Sequence, residues 1–440
     1  MREASVLVLL NPGRQSRWYL LGLARAGERL GMKVAGLELK GLWDRVQGAT
    51  DKAGAIRGIG GELRRVCERE RLTHVIGYGY NGVELGQVFG PGVEPLFASL
   101  GMQHLMLWTD HPNWMMHGSA LEPAMREVLG HRRHVHFLKS EIAAAEARGV
   151  LGWAHVFGLA MAEDYELVRP GGGGRRTHDV VAIVGSAGVI APELVRFLEE
   201  DDPDAAEIDG VMAPKALAAL RGAMVGQPGW AGAADEVMDW GERVLAARRG
   251  RALDAVWRLA GEPGLVAPGW LMADGRRWFG AGAGLRVATQ WRREFWLAWL
   301  GRRRRVLVCG CDARGLTPDQ PEGARGWVEY ERQGEVYGLG GCAVNVNAGH
   351  DEEGCTHKPF QIAAAGAGCV HHRTRGLEAL FEEPGEIRTF ATGPELLAGV
   401  DEAGGGRGEL GGAMLARAKR EHTWERRLMR MLELAERVRG

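Results

Sequence analysis

The chain has 440 residues, 45% of them apolar and 25% charged, with a formal net charge of -1. That length supports two domains with ordinary cores, and that composition is that of a globular protein rather than a disordered or fibrous one. The near-neutral balance gives no bulk field toward nucleic acid or an anionic membrane, and no run approaches the roughly 18 apolar residues of a membrane span.

The first elements alternate. Ser5 to Leu10 reads as a buried strand closed by the turn Asn11-Pro12-Gly13, with no signal-peptide pattern before it, so the expected location is cytoplasmic. A helix with Leu20, Leu23 and Leu30 on one face follows, then a strand at Val34 to Leu39 and a helix carrying Ile56, Ile59, Leu63 and Val66. Strands at His74 to Tyr78, Leu105 to Trp108 and Val135 to Leu138 continue the pattern. Strands alternating with helices predict a parallel, doubly wound α/β sheet, whose ligands bind beyond the C-terminal strand ends. That rule brings Pro12-Gly13, Gly79-Tyr80-Asn81 and Asp110-His111 to one rim. Asp110, beside Pro112, also suits a plain turn or N-cap.

Arg169 to Arg176 contains four consecutive glycines and reads as a linker. The expected divisions are 1–168 for the first domain, 169–178 for the linker, 179–416 for the second domain and 417–440 for a terminal helix. Asp179 to Ser186 reads as the first strand of the second domain, ending in the Gly185-Ser186 turn. Residues from about 190 to 300 read as a helical insertion. Val306 to Gly310, Trp327 to Tyr330, Ala343 to Asn347 and Gly368 to Val370 read as strands, and Leu415 to Val438 as one amphipathic helix.

Trp291 to Leu300 is aromatic and flanked by Arg302 to Arg305. Its default reading is a core helix whose arginines face water, and the composition leaves room for peripheral membrane contact. The six cysteines are scattered without a C-x-x-C pair. They read as buried reduced thiols, although Cys309, Cys311, Cys342, Cys355 and Cys369 with His357 and His371 could also be weighed as ligands. Asp202-Pro203-Asp204 reads as a solvated turn, so no metal site is expected.

The window from Gly349 to Gly366 is the most informative. Between two strands it carries Glu353-Gly354, the cation Lys358 and a small-residue helix start at Gln361 to Ala365. The first amides of such a helix favour an anion, Lys358 adds positive charge, and the Glu353 carboxylate can accept hydrogen bonds from sugar hydroxyls. The Gly185-Ser186 turn could add amides for a diphosphate.

Glu353-Gly354, then Gln361 after seven residues, then Ala363-Ala364-Ala365-Gly366, resembles the Glu-x7-Glu signature of GT-B glycosyltransferases. The similarity extends to the CgeB-like subgroup (spore-maturation protein, glycosyl transferases group 1). It runs through Asn345-Val346-Asn347, Lys358-Pro359-Phe360-Gln361, Gly376 to Phe381, Pro384-Gly385-Glu386, Pro394 to Leu397 and Arg420 to Arg427. Weaker matches are Trp108 to Pro112, Gly158-Leu159-Ala160 and Asp179 to Ser186.

The resemblance implies two Rossmann-like domains facing across a cleft, the second holding a nucleoside diphosphate sugar and the first an acceptor, with the last helix returning to the first domain. It implies Glu353 near the donor sugar, and Lys358 with Ile362, Ala363, Gly185 and Ser186 at the diphosphate. It further implies Gly354 and Gln361 at the donor, Val328 and Tyr330 at the base, and Asp110 or His111 as the group from the first domain. Gln361 stands where the family has glutamate and Lys358 where it has arginine. The family's basic pair after the first strand of the second domain is absent. An amide binds a ribose more weakly than a carboxylate, and lysine lacks the bidentate fork.

The expected function is that of a hexosyltransferase-type glycosyltransferase, with a nucleotide-sugar donor, an undefined acceptor (glycan, protein or small molecule), no nucleic acid and no further cofactor. The competing readings are a non-catalytic structural or binding protein of the same fold, such as a spore or surface component, and a sugar-nucleotide epimerase.

Overall fold

The computed structural model describes residues 4–83, 85, 94–116, 122–168, 176–185, 188, 190–247, 273–310, 316, 326–346, 355–405 and 408–439. The chain forms two compact units, Met1–Asp164 with His422–Gly440, and Tyr165–Glu421. Both are α/β units built on a parallel sheet, the class expected from the alternating pattern. The expected linker at 169–175 lies outside the described residues.

The first unit has six strands: β1 (Ser5–Leu10), β2 (Lys33–Glu38), β3 (His74–Tyr78), β4 (Gln103–Trp108), β5 (His134–Leu138) and β6 (Val156–Gly158). They pair in parallel in the order β2-β1-β3-β4-β5-β6, with Val6 opposite both Val34 and His74. β1, β4 and β5 are buried along their whole length, as continuous apolar runs in a two-sided parallel sheet should be. One face is covered by the helices Leu39–Gly48 and Lys52–Glu70, which bury Leu42, Val46, Ile59 and Leu63 against Leu7, Leu9 and Val75.

The helix Arg14–Arg29 also packs on this unit, burying Leu20 and Leu23, whereas Leu30 at its C-terminal end is exposed. It packs in turn on the terminal helix Trp424–Arg437. Gly22 permits that approach: a Cβ there would lie 2.5 Å from the Trp424 ring. Gln103 Nε2 donates to the Ala435 carbonyl at 2.8 Å, and Arg427 Nε to that of Ala160 at 2.7 Å. The expected single helix from Leu415 to Val438 is two helices, Glu409–Glu421 and Trp424–Arg437. The break falls where the His422 carbonyl accepts from Glu163 N and Thr423 caps the second helix.

The second unit has five strands: β7 (His178–Ile183), β8 (Val306–Cys309), β9 (Gly340–Asn345), β10 (Gly368–His372) and β11 (Arg388–Phe390). Their order is β11-β10-β9-β7-β8. Gly310 closes β8 with φ of +95°, and a Cβ would stand 2.4 Å from the Val184 carbonyl oxygen, so this turn requires glycine. Trp327 to Tyr330 is not a strand: a 3-10 turn opens at Tyr330, Arg332 N bonds back to the Glu329 carbonyl, and too little chain remains for a ladder.

Between β7 and β8 the described chain is helical: a 3-10 helix Pro192–Glu199, then Ala205–Val225, Ala231–Ala247 and Gly275–Gly301. Phe295 to Leu300 are all buried and join the core with Val180, Val308, Val344 and Phe390. That burial removes the segment as a membrane-facing surface. The arginines do not all face water either. Arg292 is buried and grips Asp209 with Nε–Oδ1 at 2.7 Å and Nη2–Oδ2 at 2.6 Å.

Cys67, Cys309, Cys342, Cys355 and Cys369 are buried free thiols, and burial pushes the Cys342 thiol up to about 12. Among the described residues no group of histidine, cysteine or carboxylate side chains is arranged to hold a metal, and no helix is long and apolar enough to cross a membrane.

Candidate functional site

Each sheet reverses its strand order once, in the first unit between β1 and β3 and in the second between β7 and β9. In open parallel sheets the ligand crevice lies beyond the C-terminal strand ends at that switch point.

In the second unit the switch point lies beyond Ile183, at the end of β7, and Asn345, at the end of β9. Gly185 is exposed there, and Ser186 lies outside the described residues. The Gly188 amide donates to Glu294 Oε1 at 2.6 Å, and Gln290 Nε2 donates to the same oxygen at 2.9 Å. Burial raises the Glu294 carboxyl above its usual range, against the lowering effect of these two donors. An internal carboxylate thus holds the Gly188 amide, two residues beyond the Gly185-Ser186 turn from which the sequence reading drew amides for a diphosphate. On the other side of the switch point, Arg293 Nε donates to the Val346 carbonyl at 3.4 Å. Neither Arg293 nor Glu294 stood out in the sequence. Their signal was two adjacent opposite charges directly before the apolar run Phe295 to Leu300.

Beyond β9 the acidic stretch 347–354, with Glu353 and Gly354, lies outside the described residues. The helix after it is Lys358–Ala364, not one starting at Gln361. Pro359 sits at its second position, where the missing N–H costs nothing. Gln361 N already bonds to the His357 carbonyl at 3.2 Å. Ile362 and Ala363 fall in the second turn, where amides serve carbonyls four residues back, and both are buried. Their expected role at a diphosphate through free helix-start amides is therefore corrected: the helix begins three residues earlier.

Lys358 Nζ donates to Gln333 Oε1 at 3.3 Å, and Gln333 is itself buried. Gln361 is 0% exposed, and neither its Nε2 nor its Oε1 finds a hydrogen-bond partner among the described residues. A buried amide left unpaired costs about 1–3 kcal/mol, so its retention points to a ligand or a loop that completes it. At the end of β10, Asn345 Nδ2 meets His371 Nε2 at 2.8 Å, and His371 Nδ1 meets the His372 carbonyl at 2.6 Å. Val328 is half-buried ahead of the 3-10 turn and Tyr330 is buried.

In the first unit Gly13 N donates to Asn11 Oδ1 at 3.0 Å, forming the turn after β1. Tyr78 at the end of β3 hydrogen-bonds through its hydroxyl to Thr109 Oγ1 at 2.6 Å. Burial raises the Tyr19 phenol, and the nearby Tyr78, Glu163 and Asp110 raise it further. Tyr78 is raised by burial and then by Asp110. Asp110, half-buried, therefore lies close to the half-buried Tyr78 and the buried Tyr19 and Glu163 at the C-terminal strand edge. His111 is turned to a different partner: its Nε2 lies 3.2 Å from Glu146 Oε2, on the helix Glu141–Leu151. Of these two alternatives of the sequence reading, His111 meets Glu146 and Asp110 lies near Tyr19, Tyr78 and Glu163.

A groove of about 460 Å³ opens at the opposite edge of the second sheet, among Arg176, Asp179, Arg304, Arg305 and Asp401. Arg304 holds Asp401 at 2.8 Å and Arg305 holds Asp179 at 3.1 Å, so most of its charge is satisfied internally.

Residues 292–433 match the model of a family described as glycosyl transferase-like, a span that includes Arg293, Glu294, Lys358 and Gln361. No curated protein matches the chain. Solved structures that it resembles include sucrose-phosphate synthase from Thermosynechococcus elongatus, with 9% identity, coverage of 98% of each chain and a TM-score of 0.46. HepE from Anabaena in complex with UDP-glucose matches with 10% identity, 98% coverage of each chain and a TM-score of 0.45. A glycosyltransferase from Rickettsia africae matches with 7% identity, coverage of 100% of this chain and 99% of that one, and a TM-score of 0.44. At such values these likenesses say nothing of the site.

Proposed function

We propose that the chain is a glycosyltransferase of GT-B type, related to the CgeB-like group, that moves a sugar, in the expected case a hexose, from a nucleoside diphosphate sugar to an acceptor. The observation that carries this reading is the coincidence of two independent features. The glycosyl transferase-like match spans 292–433, and within it the fully buried amide of Gln361, three residues after Lys358, lacks a partner among the described residues.

In this reading Lys358 offsets the leaving diphosphate and Gln361 hydrogen-bonds the ribose. Glu353 and Gly354 approach the donor sugar. Tyr330 and Val328 flank the base, and Gly185 and Ser186 border the phosphates. Asp110, which lies near Tyr19, Tyr78 and Glu163, or His111, whose Nε2 lies 3.2 Å from Glu146 Oε2, accepts a proton from the acceptor hydroxyl.

Isothermal titration of the full chain with UDP, dTDP, ADP and GDP tests the donor site, and donor turnover with released diphosphate tests the reaction. We expect one nucleotide to bind, and Glu353→Ala and Lys358→Ala to remove turnover. No binding by any of the four nucleotides overturns the reading. Binding without turnover favours the non-catalytic alternative, for which the neutral Gln361 in place of a carboxylate is the specific observation.

A further inference from the structure

The strand-order reversal of the second unit lies between β7 and β9, and one turn of the helix Gly275–Gly301 touches both sides of it. Glu294 takes the Gly188 amide beyond β7, and its neighbour Arg293 reaches the Val346 carbonyl beyond β9. Val346 is the last described residue before the stretch that carries Glu353, and Lys358 opens the helix after that stretch. Two cations from distant parts of the sequence therefore flank the same loop, and the turn beyond β7 brings none: Ala187, Gly188, Val189 and Ile190 are uncharged.

We propose that Arg293 is a ligand-binding residue of this crevice, contacting the diphosphate of the donor from the insertion helix. The inference rests on the donor-site reading and assigns it a second cation. Nε of Arg293 donates to the Val346 carbonyl at 3.4 Å, which holds the guanidinium near the strand end. The planar fork is suited to two phosphate oxygens in a way that the point charge of Lys358 is not. Glu294 acts as a positioning residue: its hydrogen bonds to Gly188 N and Gln290 pin this helical turn to β7. The rival role for Arg293 is internal, neutralising the acids of 351–353.

The test is titration of the full-length Arg293→Gln, Arg293→Lys and Lys358→Ala variants with the nucleoside diphosphate that binds best, and with the matching monophosphate. Loss of a charge-assisted contact gives a ten- to hundredfold weaker diphosphate. We expect that loss in Arg293→Gln, with a smaller loss for the monophosphate, a shallower salt dependence, partial recovery in Arg293→Lys and an unchanged melting temperature. Three outcomes overturn the inference. If Arg293→Gln binds diphosphate as the wild type does while Lys358→Ala does not, Arg293 is no ligand and the donor-site reading stands. If Arg293→Gln loses mono- and diphosphate equally and melts earlier, its role is internal. If the wild type binds no nucleotide, the inference falls together with the donor-site reading.

Discussion

Gln361 is a residue whose environment and chemistry disagree: a side chain with no solvent exposure keeps two polar atoms without partners among the described residues. Replacing it by an apolar residue of similar size removes the desolvation cost along with the amide. Gln361→Met should leave the melting temperature of the free protein unchanged or raise it, while weakening nucleotide binding at least tenfold. Calorimetric melting and titration on the same variant check both halves. A drop in stability with binding intact would show that the amide serves the fold. The pair Arg292 and Asp209 is the opposite case, buried and fully matched. Asp209→Ala strands a buried guanidinium and should cost about 3–5 kcal/mol in denaturant unfolding, whereas the double change Arg292→Met, Asp209→Leu should cost far less. Residue identity alone exposed Gln361, because it breaks a spaced pattern. It could not expose Arg293 or Arg292, because adjacent arginines on a helix read alike until the packing shows which is paired, which reaches a strand end and which is solvated.

At the scale of elements, the long apolar strands were legible and the short ones were not. β1 and β3 fall where the alternation puts them, while β6 and β11, three residues each, are too short for any period to register. The 3-10 turn at Tyr330 shows the converse error, since Trp327 to Tyr330 has strand-like composition without a ladder. The terminal helix is legible as amphipathic, but its separation from Glu409–Glu421 rests on the Thr423 cap and on the carbonyl that His422 gives to Glu163. Trp424, fully buried against Gly22, anchors it in the first unit. Trp424→Ala should destabilise that unit by about 3–5 kcal/mol. Segment-resolved hydrogen exchange should show faster exchange in Arg14–Arg29 and Trp424–Arg437, with the second sheet little changed.

At the scale of the molecule, the first unit carries four buried histidines on neighbouring strands of its sheet, and the second unit buries His357, His371 and His372. Burial lowers His74 to about 4 and His104 and His136 to about 3, and holds His134 well below its ordinary value. His136 is locked neutral, accepting from Trp108 Nε1 at 3.2 Å, meeting the Leu129 carbonyl at 2.9 Å and stacking on Trp153 at 3.9 Å. A lowered folded-state value means that these groups contribute full stability above about pH 6.5 and lose it as pH falls toward 4. With four such groups the loss approaches roughly 5 kcal/mol per pH unit at its steepest. Between pH 6.5 and 4.5 the first unit should therefore open ahead of the second, and hydrogen exchange across that range checks the order. Equal loss in both units would contradict the assignment.

The sequence by itself determined the α/β class, the parallel strands and the window around Lys358 and Gln361, because alternating apolar runs and a broken local pattern are properties of neighbouring residues. Only the tertiary structure decided where the strand order reverses, that the insertion helix brings Arg293 and Glu294 to that point, that His111 meets Glu146, and that Gln361 is buried without a partner among the described residues. Those facts depend on residues dozens of positions apart meeting in space, and no local period carries them.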